Sequence, residues 1–172
     1  MFLGKTKYIL TGLAFGFLLK LFVLDFLHVS GSSMQPSINS GSTVFFYKLS
    51  YGIIKPWGDK LLFRWKNPKV DDIVIFLHDN RSVIKRIVAT EGTNYRILKD
   101  SSLEYSTDIL YSMEINGKNI PLSQGQYNNL KGTDCVPEGT VLVIGDNYED
   151  SIDSRDYGFV SINNILGKVI CK

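Results

Sequence analysis

Only two cysteines and two histidines occur among the 172 residues. Two cysteines are too few for a disulfide scaffold and too few, by themselves, for a zinc site. The chain has no Cys-x-x-Cys, no His-Glu-x-x-His and no Gly-x-Ser-x-Gly. The usual metal centres and the serine hydrolase elbow are therefore not signalled. Charge is nearly balanced, 19 Lys plus Arg against 17 Asp plus Glu, a net of +2 with no block of one sign. That excludes the basic footprint of a nucleic-acid binder. Glycine and proline, 15 and 5, are at ordinary levels, so collagen-like and linker-like chains are out. With 44% hydrophobic residues a disordered chain is out as well. The length suits one domain with a small appendage.

The apolar residues crowd into positions 1–27. Tyr8 to Leu19 is an uncharged run, Lys20 interrupts it, and Asp25 follows after four apolar positions. A bilayer span needs about 20 largely apolar residues, so a span here includes Lys20 near one end, with its ammonium snorkelling to the interface. Lys5 and Lys7 precede the run, which places the N-terminus in the cytoplasm and the rest outside. A cleaved signal peptide and a buried core helix compete with this reading. No small-x-small cleavage site follows the run, because Leu21 to Leu27 is bulky. The expectation is a short cytoplasmic N-terminus and a single transmembrane anchor over 1–27, then an extracytoplasmic β-domain over 28–172.

Beyond Leu27 the pattern changes to short β-branched and aromatic runs: Thr43–Tyr47, Ile73–Leu77, Ser82–Val88, Tyr95–Leu98, Met113–Ile115, Thr140–Ile144 and Ile165–Ile170. Asn116-Gly117 signals a type I′ hairpin. No long helical period follows residue 28, so an all-β domain with Greek-key or barrel-like closure is expected. Tyr51 to Trp65 interleaves aromatics with Lys55, Lys60 and Arg64, which suits either a membrane interface or an ordinary loop and strand in the core.

His28 and His78 both sit where histidines are usually structural or solvated. Asp146, Glu149, Asp150, Asp153 and Asp156 lack the pattern of a calcium loop. Neither a metal nor a cofactor is expected. The remaining nucleophile chemistry is serine with lysine. Val29-Ser-Gly-Ser-Ser-Met-Gln-Pro-Ser37 is a constrained serine-rich turn directly after the anchor. Lys85 lies within the apolar run Val83 to Val88, on the strand face of Val83 and Ile87, with Arg86 on the opposite face. Burial disfavours a charged amine, and a neutral one accepts a proton from a hydroxyl. An edge strand carrying basic residues is the competing reading.

In this order along the chain, these segments resemble bacterial type I signal peptidases, the membrane-anchored Ser/Lys endopeptidases of family S26. Val29 to Ser37 is similar to V-x-G-x-S-M-x-P-T, with Ser37 in place of Thr. Val70 to Phe76 resembles the next strand motif, with Asp71 in place of Gly. Val83 to Val88 is similar to the segment carrying the general-base lysine. Gly145 to Gly158 fits G-D-N-x-x-x-S-x-D-S-R-x-x-G at every fixed position.

The resemblance implies Ser33 as nucleophile and Lys85 as general base. Ser151 would help hold the amine, and Asp153 with Arg155 would organise the loop behind the site. The Ser33 N–H would be one oxyanion donor. Gly31 stands where many members have a serine, so Ser32 or a backbone group is the candidate second donor. Val29, Met34 and Ile84 would line shallow pockets for small residues at the first and third positions before the cut. The implied partners are signal-peptide-bearing preproteins and membrane lipid, with no nucleic acid, and the expected working form is a monomer. Two readings stand beside it: a related peptidase dedicated to conjugative pilins, and an inactive membrane-tethered binding module. Self-cleaving repressors share such a dyad but need a DNA-binding helix-turn-helix, where this chain has an apolar segment.

Overall fold

Side chains branched at Cβ or aromatic pack well on a pleated surface, and most of the chain is built from such runs. The computed structural model describes residues 2–54, 61–99 and 109–171. The elements are α1 (Phe2–Phe22), β1 (Leu24–His28), β2 (Thr43–Tyr47), β3 (Gly52–Ile54), β4 (Leu61–Arg64), β5 (Ile73–His78), β6 (Arg81–Thr90) and β7 (Arg96–Lys99). They continue with β8 (Ile109–Ile115), β9 (Lys118–Ser123), α2 (Gln124–Leu130), β10 (Thr140–Ile144), α3 (Ser154–Tyr157), β11 (Val160–Ser161) and β12 (Ile165–Cys171).

Seven strands form one antiparallel sheet in the order β1-β2-β12-β5-β6-β10-β11. The last strand is threaded between the second and the fifth, so the sheet is held by non-local pairing. The protein is mostly β. Its main ladder is open among the described residues, with β1 and β11 at the edges, where barrel-like closure was expected. β7, β8 and β9 make a second sheet, and β3 with β4 a small hairpin.

Two tight hairpins join neighbouring strands. Asn116 and Gly117 join β8 to β9 with φ of 48° and 72°, and Asp79 and Asn80 join β5 to β6 with φ of 49° and 60°. Two-residue loops with both central residues at positive φ match the twist of antiparallel strands. The second sheet packs on the first through Met113, Ile115, Ile120 and Leu122 against Val88, Leu142 and Ile144. A separate cluster joins Met34 and Ile38 to Val44, Phe46, Ile75 and Ile84, and so fastens the segment after β1 to the sheet.

The N-terminal segment departs from expectation. The helix ends at Phe22, and Leu24 to His28 pairs as β1 with β2 rather than continuing an anchor to Leu27. Lys48 sits at the change of direction. Its Nζ donates to the carbonyls of Lys20 and Leu21 at 3.1 and 3.4 Å, and it pairs with Asp25 at 2.8 Å. A cation thus meets the open carbonyls of a helix C-terminus, where it is favoured. No helix among the described residues is long and apolar enough to cross a membrane. The expected full span is corrected accordingly, because the apolar run is shared between helix and sheet edge.

The stretch Tyr51 to Trp65 divides between its two readings. Tyr51 is buried, and its hydroxyl donates to Asp72 at 2.8 Å. Leu62, Phe63 and Trp65 are exposed. Residues 55–60, including Lys55, Trp57 and Lys60, lie outside the described residues.

Candidate active site

The turn that carries Ser33 is held from below. Met34 and Ile38 are 1% and 2% exposed, and the Ile38 N–H donates to the Met34 carbonyl at 2.8 Å. The Gln35 N–H closes on the Ser32 carbonyl at 2.9 Å. With Met34 sunk in the core, the preceding residue is turned outward, toward β6.

β6 lies between β5 and β10, so it is a central strand and not an edge. Lys85 in its middle is 3% exposed. Its Nζ donates to Ser33 Oγ at 2.7 Å. Burial pushes the amine below the ordinary lysine range. The Asp153 carboxylate opposes that shift, and the Arg155 guanidinium adds to it. Arg86 points the other way, with Nε and Nη2 each 2.7 Å from the Asp146 carboxylate.

The segment from Gly145 to Gly158 wraps behind the pair. Asp153 and Arg155 are 0% and 1% exposed and meet through two parallel bonds, Nε to Oδ1 and Nη2 to Oδ2, each 2.9 Å. Arg155 also donates to the carbonyls of Tyr148, Ser151 and Pro121. One planar cation thereby ties its own loop to β9. Asp153 caps α3 and accepts from the Gly145 N–H at 3.1 Å. The Ser151 hydroxyl donates to Asp153 Oδ2 at 2.6 Å. Through this bond Ser151 holds Asp153.

A cleft of about 180 Å³ opens beside Ser33. Val29, Gly31, Met34 and Ile84 line it, together with His28 and Val83. Ser32 is not in its wall. Its hydroxyl donates to Asp150. The Ser33 N–H makes no hydrogen bond among the described residues. His78 stacks on Tyr157 with ring centres 3.9 Å apart. Neither histidine is hydrogen-bonded to Ser33. Cys135 is a free thiol.

Three residues, Asn147, Gly145 and Asp150, have places at the site that the sequence reading did not assign. The Asn147 N–H donates to the Ser33 carbonyl at 3.0 Å, and its Nδ2 to the Ser32 carbonyl at 3.4 Å. A Cβ on Gly145 would lie 2.3 Å from Ser151 Oγ and 2.5 Å from the Ser33 carbonyl oxygen. Asp150 receives the Ser32 hydroxyl. The fixed Gly-Asp-Asn of the motif was the available signal for the first two; nothing marked the third.

A serine and a buried lysine in contact beside an apolar cleft is an arrangement suited to acyl transfer. Comparison with known proteins gives the family. The family model described as signal peptidase, peptidase S26, matches residues 3–172. A signal peptidase I of Bacillus caldolyticus is 34% identical over 169 residues, covering 88% of this chain and 80% of that protein. A signal peptidase IB of Staphylococcus aureus (strain N315) is 27% identical over 173 residues, covering 89% and 79%. A crystal structure of a signal peptidase I from Enterococcus faecalis V583 is 26% identical, with a TM-score of 0.40, covering 61% of this chain and 98% of that one. By the match over nearly its whole length, the chain belongs to the signal peptidase family, peptidase S26.

Proposed function

We propose that this signal peptidase removes N-terminal signal peptides from exported preproteins, with Ser33 as nucleophile and Lys85 as its base. The observation that carries the reading is the 2.7 Å contact between Lys85 Nζ and Ser33 Oγ at a lysine that is 3% exposed. The neutral amine accepts the hydroxyl proton as Ser33 Oγ attacks the scissile carbonyl, and it returns that proton to the leaving amine. An ester to Ser33 results. Lys85 then takes a proton from water, which attacks the ester and frees the enzyme. The unused Ser33 N–H is placed to donate to the oxyanion, where charge develops. Asp153, Arg155 and Ser151 act by fixing the loop behind the amine.

Val29, Met34 and Ile84 line the cleft, and their bulk sets by sterics which side chains enter it. Ala at the first and third positions before the cut fits. Membrane attachment at the outer face of the cytoplasmic membrane belongs to the same proposal. Tyr8, Ile9, Leu10, Leu13, Phe15 and Phe17 of α1 are all exposed, and so are Leu24, Phe26 and Phe45 on the β1–β2 edge. Apolar surface of this extent suits lipid.

The test is cleavage of a preprotein with an Ala-x-Ala site, in detergent or lipid, by the wild type, Ser33→Ala and Lys85→Ala. Cutting after the second Ala by the wild type alone supports the reading. A folded Lys85→Ala that still cuts removes Lys85 as base. A wild type that does not cut points to a dedicated client, and pilin precursors are then the substrates to try.

A further inference from the structure

A nucleophile is only as well aimed as the backbone beneath it, and a displacement of about 1 Å can cost on the order of 10²-fold in rate. Met34 anchors one side of the Ser33 turn in the core. On the other side the turn meets the loop that follows β10. The Asn147 N–H holds the Ser33 carbonyl at 3.0 Å. One residue earlier in the turn, the Ser32 hydroxyl donates to the Asp150 carboxylate across 118 positions of sequence. The Asp150 N–H in turn closes on the Asn147 carbonyl at 3.3 Å. Two successive residues of the turn are thus fastened to one short loop, Ser33 through its carbonyl and Ser32 through both its carbonyl and its hydroxyl.

We infer that Ser32 and Asp150 are a positioning pair, which fixes the orientation of the Ser33 turn relative to Lys85. The inference rests on the reading of Ser33 as nucleophile and extends it. Ser32 lies outside the cleft wall, and its hydroxyl is already committed to Asp150. The pair acts through Ser33, and its loss leaves the cleft and its walls in place. Substrate binding is therefore unaffected, while the approach of Ser33 Oγ to the scissile carbonyl is loosened.

The experiment is a double-mutant cycle on the full chain in detergent, with an Ala-x-Ala preprotein, reading kcat and KM separately. Ser32→Ala and Asp150→Ala each lower kcat about tenfold with KM unchanged, and the double variant is no slower than either single. Ser32→Thr keeps a hydroxyl and Asp150→Asn keeps an acceptor, and both retain most of the wild-type kcat. Thermal unfolding of every variant shows that the fold is intact. Losses that multiply in the double variant, a Ser32→Ala enzyme at full kcat, or a rise in KM in place of a fall in kcat each overturn the pair. Ser33→Ala serves as the control. If it still cleaves, the nucleophile assignment fails and the pair falls with it. If it is inactive and the cycle is additive, only the pair fails.

Discussion

Lys85 Nζ and Ser33 Oγ meet at 2.7 Å although 52 positions separate them in sequence. The contact requires β6 to be a central strand and the segment after β1 to be folded down by Met34. It therefore reports on the whole sheet rather than on a local turn. Removing the lysine tests function and stability in opposite directions.

Lys85→Met should abolish cleavage without lowering the melting temperature. The folded-state amine sits below its ordinary pKa of about 10.4, so unfolding relieves a penalty on the charged form. That penalty is present in full below the folded-state pKa and fades as pH rises toward the unfolded value. The apolar variant should melt higher than the wild type at neutral pH, by about 2–4 °C for each kcal/mol relieved. Any advantage should shrink toward high pH. Calorimetry at several pH values decides it, and a variant that melts lower throughout contradicts the buried-amine account.

Gly145→Ala should damage catalysis more than folding. The added Cβ would sit 2.5 Å from the Ser33 carbonyl oxygen and 2.3 Å from Ser151 Oγ. The loop and the Ser33 turn must part to admit it, at about 1–3 kcal/mol of stability and on the order of 10²-fold in kcat. Steady-state kinetics beside a melting curve separate the two losses.

Asp153 and Arg155 should be indispensable to the fold. Both are essentially inaccessible to water, and removing one leaves the other an unpaired buried charge. Arg155→Ala should cost about 3–5 kcal/mol. Urea unfolding measures this, and a loss under 1 kcal/mol would contradict the geometry.

Ile84→Ala should widen the substrate range. Ile84 lines the cleft, and trimming it removes bulk from the wall. Preproteins with larger residues, such as Val or Leu, at the first or third position before the cut should gain in kcat/KM relative to Ala. A variant that keeps the wild-type preference would show that Ile84 does not set it.

How much of this was legible before folding depended on the length scale of the signal. The alternation within Val83 to Val88 placed Lys85 and Arg86 on opposite faces, and they do reach different partners, Ser33 and Asp146. The Asn-Gly dipeptide at 116 marked its hairpin, because positive φ at two successive residues restricts the choice of side chain. The end of α1 was not legible, since apolar residues such as Leu24 and Phe26 serve a sheet edge as readily as a helix. α2 is only seven residues long, too short for a helical period, although Ser123 and Gln126 spell its capping box. The bond from Ser151 to Asp153 was not legible, because the motif names residues and not the direction of a hydroxyl. The Ser32–Asp150 bond joins residues 118 positions apart and leaves no trace in local pattern.

The most direct test of the central claim is capture of the covalent intermediate. Wild type and Lys85→Ala would be mixed with a preprotein carrying an Ala-x-Ala site, quenched in acid within one turnover, and mapped by mass spectrometry. The account predicts a signal-peptide ester on Ser33 in the wild type, forming more slowly as pH falls and the amine becomes protonated, and no ester in Lys85→Ala. An adduct on any other residue, or a Lys85→Ala enzyme acylated as fast as the wild type, would contradict it.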